Sequence, residues 1–195
     1  MAVNTLAVSR SLFVDQFVRS LRAENLSERT VTKYRESVAL LAGFLHRAGM
    51  PNRPEAINRE HIEAFVEAQL QKHKPATAAT RYRALQRYFR WLREEGEIQR
   101  NPMVNMRPPR VPENPPPILS DASIQKLLKV CSGGGFQDRR DIAIIRMLLD
   151  TGLRRSELAY LTLEHMDLDQ QYVMVSGKGS RGRAVPYGRK AARDL

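Results

Sequence analysis

Seven of the 11 prolines in this 195-residue chain fall between Pro102 and Pro117, in the stretch NPMVNMRPPRVPENPPP. Proline brings no backbone N–H to a helix or sheet and pushes the residue before it out of the helical region, so no regular element can run through this stretch. It reads as an extended linker over 97–116, with a folded domain over 7–96 and another over 117–195. Charge divides in nearly the same place. Residues 1–110 carry 19 basic and 11 acidic side chains, a net of +8, whereas 111–195 carry 13 and 10, a net of +3. The total of +11 attracts polyanions: DNA, RNA or an anionic membrane.

A membrane is the weakest of these partners. The longest nearly apolar run, Val38 to Leu45, falls far short of the roughly 20 residues of a spanning helix. Arg10 and Asp15 interrupt the N-terminal apolar positions, which is unlike a secretory signal. Cys131 is the single cysteine, so it forms no internal disulfide, and without Cys or clustered His companions it reads as a small packing residue rather than a metal ligand. No metal or other cofactor is assigned, and a cytoplasmic home is expected.

Before the linker the apolar residues recur at helical spacing four times. Leu12, Phe13, Phe17 and Leu21 predict a helix over Ser9 to Glu24. Val31, Tyr34, Val38, Leu41 and Leu45 predict a second, capped by Ser27 and stopped before Gly49. A third opens at Asn58 and should bury Ile62, Phe65, Val66 and Leu70; a fourth, from about Thr77 to Gly96, carries Ala78, Tyr82, Leu85, Phe89 and Leu92. Each stripe covers one side, so four helices can close on a common core.

The fourth helix is also basic. From Lys72 to Arg93 there are seven Lys or Arg and no acidic residue. Arg83, Arg87 and Arg90 share a face, with Arg81 nearby, and a helix of this kind fits the major groove of double-stranded DNA, where arginines pair with phosphates or guanine edges. A solvated charged face is the alternative. Tyr82, Tyr88 and Trp91, interleaved with these arginines, read as core or rim packing, with stacking on bases as the alternative.

After the linker the pattern becomes mixed. Ser120 caps a helix to about Cys131, and Gly133 to Gly135 break it. A helix over Asp138 to Asp150 stops at Gly152, and a short one covers Ser156 to Leu161. Tyr172 to Val175 and Ala184 to Tyr187 flank GKGSRGR, as two short strands joined by a glycine-rich turn, with Pro186 at an edge or strand end.

Thr151-Gly152-Leu153-Arg154-Arg155-Ser156-Glu157-Leu158 resembles the first catalytic-arginine motif of the tyrosine-type site-specific recombinases, the phage-integrase family. Val175-Ser176-Gly177-Lys178-Gly179, followed by Arg183-Ala184-Val185-Pro186, resembles their catalytic-lysine hairpin, in matching order and distance. Upstream, LSERTVTKYRESVALLAGFLHRAG and Asn101-Pro102 resemble the core-binding domain and its junction. The resemblance implies a mainly α chain: an N-terminal four-helix, SAM-like core-binding domain, then the first part of an α+β catalytic domain with a β-hairpin. It implies Arg154 as the first catalytic arginine, with a planar fork that holds two phosphate oxygens. It implies Lys178 as general acid to the leaving 5′-oxygen; a phosphate-binding lysine without acid chemistry is the alternative. Glu157, three residues after Arg154, is expected to orient that arginine or a neighbour, or else to be a plain surface carboxylate. Arg181 and Arg183 are expected on backbone phosphates.

Further family motifs, a His-x-x-Arg pair and a late nucleophilic tyrosine, have no counterpart in these residues: His165 is followed by Met166, Asp167 and Leu168, and no tyrosine stands in the required place after the hairpin. The expectation is therefore a DNA-binding chain with an incomplete catalytic domain that leaves apolar surface uncovered. It would be monomeric alone and part of a tetramer on paired sites at full length. A catalytically inactive module that occupies recombination sites, and an unrelated helical transcription factor, are the rival readings.

Overall fold

The computed structural model describes residues 12–113, 115–176 and 182–195. Its contacts divide the chain into two compact units, Met1–Asn114 and Pro115–Leu195.

The first unit is built from α1 (Val14–Ala23), α2 (Glu28–Arg47), α3 (Arg59–Lys72) and α4 (Pro75–Glu94), with a short 3-10 turn at Pro54–Ala56. Local chemistry sets each start. Ser27 accepts the Thr30 N–H ahead of α2. Asn58 and His61 cap α3 reciprocally, Asn58 Oδ1 accepting the His61 N–H at 3.1 Å and His61 Nδ1 accepting the Asn58 N–H at 3.1 Å. Pro75 opens α4, where its missing N–H costs nothing. Helix α2 packs on the other three, and the apolar faces meet around Phe17, whose ring lies 5.3 Å from those of Tyr88 and Trp91.

Three details differ from the sequence expectations. Phe13 adopts a left-handed conformation (φ 50°), so α1 starts at Val14, while Leu12 is fully buried ahead of it as an anchor. The inward face of α3 runs through Ile62, Phe65 and Gln69; one position further on, Leu70 turns outward and is 41% exposed, and Val66 is half-buried. Residues 98–106 do not behave as linker. Ile98 and Met103 are buried in the first core, and Asn101 holds the turn by accepting the Met103 N–H at 2.8 Å. Two apolar side chains outweigh the proline content here, and residues 106–113 form no helix or strand. Tyr82, Tyr88 and Trp91 are buried, Tyr88 completely, which places all three in the core rather than on a stacking surface.

The second unit contains α5 (Asp121–Val130), α6 (Phe136–Thr151), α7 (Arg155–Ala159), β1 (Met166–Asp167), β2 (Tyr172–Ser176), β3 (Gly182–Pro186) and α8 (Arg189–Asp194). The strands form an antiparallel sheet in the order β1-β2-β3, so Pro186 lies on an edge strand. Val173 pairs with Val185 and Val175 with Arg183. The core is small: Met147, Leu153, Val173, Val175, Tyr187 and Ala191. Cys131, expected as a packing residue, is only half-buried at the end of α5. Apolar side chains stay on the surface, Val130 at 80%, Phe136 at 79% and Leu163 at 80% exposure.

The Tyr88 hydroxyl donates to the Leu12 carbonyl at 2.6 Å inside the first core. Tyr88→Phe leaves that carbonyl unpaired and is expected to destabilise the first unit by about 1–2 kcal/mol, read as a lower urea midpoint at unchanged slope.

Candidate phosphate-binding site

The sequence Thr151-Gly152-Leu153-Arg154 is a device for presenting a side chain. Helix α6 ends at Thr151, whose hydroxyl donates back to the Met147 carbonyl and accepts the Leu153 N–H at 3.3 Å. Gly152 then takes the left-handed conformation (φ 60°) that reverses the chain. Leu153 is 5% exposed and pins the turn to the core. Arg154 comes next as the N-cap of α7, with its side chain 66% exposed.

Glu157 occupies the third position of α7 and folds back over its start. Oε2 accepts the Arg154 backbone N–H at 2.9 Å, and Oε1 accepts Nη1 of the Arg154 guanidinium at 2.8 Å. The same carboxylate receives Arg183 from β3 as a two-pronged pair, Nη1 to Oε1 at 3.0 Å and Nη2 to Oε2 at 2.9 Å. The three side chains thus form one cluster, two guanidiniums on one carboxylate, in which the Glu157 side chain is only 6% exposed because its own partners cover it. The Arg183 fork, then the Arg154 amide, then the Arg154 side chain hold the Glu157 carboxyl down to about 2. Glu157 is ionised at any physiological pH. It can orient; it cannot carry protons.

Arg154 therefore has one guanidinium nitrogen on Glu157, and its remaining donors have no partner among the described residues. A planar fork with an outward edge, standing at a helix start, is suited to an oxyanion of phosphate. Arg183, expected on backbone phosphates, instead has both prongs on Glu157. The signal for this lay in the strand alternation. Arg183 and Val185 are two apart and pair with Val175 and Val173, so Arg183 shares the sheet face of the two buried valines. Lys178 and Arg181 lie outside the described residues, between Ser176 and Gly182, which pair with each other. His165 is a local cap: its Nδ1 lies 2.9 Å from the Thr162 hydroxyl.

In the first unit Arg83 and Arg90 are exposed on α4. Arg87 is one-third exposed and forms an ion pair with Glu24 at the end of α1, and Arg81 donates to the buried Gln69 on α3. Of these four arginines expected on DNA, two are engaged within the unit and two have no partner among the described residues. Among the described residues no group of three or more His, Cys, Asp or Glu could hold a metal ion, and no helix is long and apolar enough to cross a membrane.

Residues 14–96 match the N-terminal SAM-like domain of phage integrases, and residues 117–195 match the phage integrase family itself. The chain belongs to the tyrosine recombinase family. Tyrosine recombinase XerD of Pseudomonas putida is 33% identical over 181 residues, 91% of this chain and 60% of that protein. Tyrosine recombinase XerC of Salmonella typhi is 31% identical over 186 residues, 94% of this chain and 61% of that protein. The chain thus spans about 60% of the length of these recombinases. The fold resembles a lambda integrase dimer bound to a COC′ core site, with TM-score 0.70 at 19% identity over 89% of this chain and 47% of that one. It also resembles the Tn1549 transposon integrase in complex with a circular intermediate DNA, with TM-score 0.71 at 18% identity over 93% of this chain and 62% of that one.

Two consequences can be measured in this tyrosine recombinase chain. Gly152→Ala meets no atom within 4 Å but must hold φ near 60°, so the second unit should lose about 1 kcal/mol, seen as a lower denaturant midpoint. Glu157, with its carboxyl held below the ordinary range, stabilises the folded unit fully above about pH 4.3. That contribution is lost as the pH falls toward about 2, where the carboxylate is protonated in the folded state. Unfolding midpoints measured from pH 5 to pH 2 should therefore fall less steeply in Glu157→Gln than in the parent.

Proposed function

We propose that these residues are the DNA-grasping and phosphate-holding part of a site-specific tyrosine recombinase. The observation that carries this reading is Arg154, locked at one nitrogen by Glu157 and open at its outer edge. In the proposed reaction a tyrosine oxygen bonds to a DNA phosphorus and the bond from phosphorus to the 5′-oxygen breaks. Arg154 steadies the charge gathering on the phosphoryl oxygens, and Lys178 gives its proton to the departing 5′-oxygen. Positive donors held in advance lower the barrier because they need no rearrangement as charge develops. A free 5′-hydroxyl of another strand then attacks the phosphotyrosine, the bond from phosphorus to the tyrosine oxygen breaks, and a phosphodiester is restored with the tyrosine released.

Duplex binding falls to the first unit in this reading. Arg83 and Arg90 on α4 are the exposed cations of that face, and Arg87, half-committed to Glu24, supports it. In this reading the nucleophile is not one of the tyrosines of these residues. Tyr187, which follows the hairpin, is 5% exposed and donates to the Asp167 carbonyl at 3.3 Å. In this reading cleavage needs a nucleophile that these 195 residues do not supply, and assembly into a tetramer on paired sites would accompany a chain that carries one.

Affinity for duplex DNA is expected to fall linearly on a log–log plot against salt, and Arg83→Ala with Arg90→Ala to flatten the slope by about 2. An unchanged slope removes α4 from the interface. A polypeptide of these 195 residues incubated with nicked duplex should yield no covalent protein–DNA adduct on a denaturing gel, and a band there would sink the reading of Tyr187.

A further inference from the structure

We propose that Arg183 is a positioning residue: by gripping Glu157 with both prongs it keeps that carboxylate from capturing Arg154, and so leaves the fork of Arg154 free for a phosphate. The inference rests on the proposed role of Arg154 and goes beyond it, since it concerns a residue that need not touch DNA.

An arginine beside a carboxylate prefers a two-pronged pair, with two parallel N–H···O bonds. Arg154 does not have one. It makes a single side-chain bond, at 2.8 Å, because the two-pronged seat on Glu157 is filled by Arg183 at 3.0 and 2.9 Å. Without Arg183 no other described side chain would occupy that seat, so Arg154 could turn both prongs onto Glu157, and the edge that faces solvent would be lost. Charge leads the same way. Two guanidiniums and one carboxylate leave the cluster with one net positive charge, which draws in an anion; one guanidinium and one carboxylate leave none. The support is rigid, because Arg183 lies on β3 opposite the buried Val175, and Glu157 is fixed by the start of α7. His165 and Tyr160 line the cleft beside Glu157, and neither bonds to its carboxylate. The device also requires arginine: lysine at this position supplies charge but no fork.

The test uses the chain as it stands, with duplex DNA as the probe. Arg183→Ala is expected to weaken duplex binding about tenfold, near the loss for one charge-assisted hydrogen bond. Adding Glu157→Gln to Arg183→Ala removes the competing charge while keeping an acceptor for the Arg154 N–H, and should return affinity to within about twofold of the parent. A double variant that stays as weak as Arg183→Ala means that Arg183 contacts DNA itself, and overturns the proposal; so does an Arg183→Ala protein that binds as tightly as the parent. Carboxyl NMR titration of Glu157 needs no DNA. In Arg154→Ala, where no second guanidinium can take the vacated seat, its midpoint should stay below the ordinary value of about 4.3, and adding Arg183→Ala should move it up toward that value. An unmoved midpoint means that Arg183 does not hold Glu157 in solution, which overturns the proposal whatever the DNA result. If Arg154→Ala binds duplex like the parent while the midpoint does move, the phosphate role of Arg154 has failed and the grip of Arg183 on Glu157 stands.

Discussion

One carboxylate organises the chemistry-bearing part of this molecule. Glu157 joins the start of α7 to β3, two segments 26 residues apart in sequence, through four hydrogen bonds to Arg154 and Arg183. Surface ion pairs ordinarily contribute little, because two long side chains must be immobilised in water. This one differs in its geometry: a backbone N–H, a two-pronged arginine and a second arginine all fall on the same two oxygens, with the carboxylate 6% exposed. The arrangement fixes a direction as well as a contact. Arg154 can point only where Glu157 and the Gly152 turn together allow.

The first unit solves a different problem, making one helix serve a core and a charged surface. Helix α4 buries Ala78, Tyr82, Leu85, Phe89 and Leu92, and adds Tyr88 and Trp91 to the same interior, yet it carries Arg83 and Arg90 outward. The aromatic side widens the buried stripe beyond half of the helix circumference. The arginines at its margins must then be satisfied locally, which is what Glu24 does for Arg87 and Gln69 does for Arg81. A basic helix in a folded unit is thus not uniformly available to a partner: Arg87 and Arg81 are engaged, and Arg83 and Arg90 have no partner among the described residues.

Much of this was legible in the sequence because it rests on periodicity and caps. The four apolar stripes, the Ser27 and Ser120 caps, the Gly152 stop and the two strands around the glycine-rich turn are local signals, and local signals survive folding. What escaped depends on long-range contact. Residues 98–106 look like linker because proline content is visible and the burial of Ile98 and Met103 is not. Leu70 and Gln69 exchange places because an idealised stripe cannot say which neighbour is covered, and a glutamine finds its arginine 12 residues away. Glu157 was readable as a partner of Arg154 from their spacing; its second partner could be read only by carrying the strand register through to Arg183, which puts that residue on the face of Val173 and Val175.

The two units also hold their shape by different means, and this bears on how the site works. The first has a large aromatic and aliphatic interior, whereas the second, among the described residues, gathers six buried apolar residues in its core cluster and leaves Ile118, Val130, Phe136 and Leu163 largely in water. Burial alone cannot position Arg154 in the second unit. Polar ties do it instead: Thr151 to Met147 and Leu153, Asp150 to the Gly188 N–H at 3.0 Å, Arg146 to Asp194 at 3.2 Å, and the Glu157 cluster. Hydrogen bonds are directional where apolar contact is not, so a small core stitched by such bonds can still hold a guanidinium to a narrow range of orientations. For the phosphate role proposed for Arg154, which needs a fork already aimed, that directional stiffness matters more than the total stability of the unit around it.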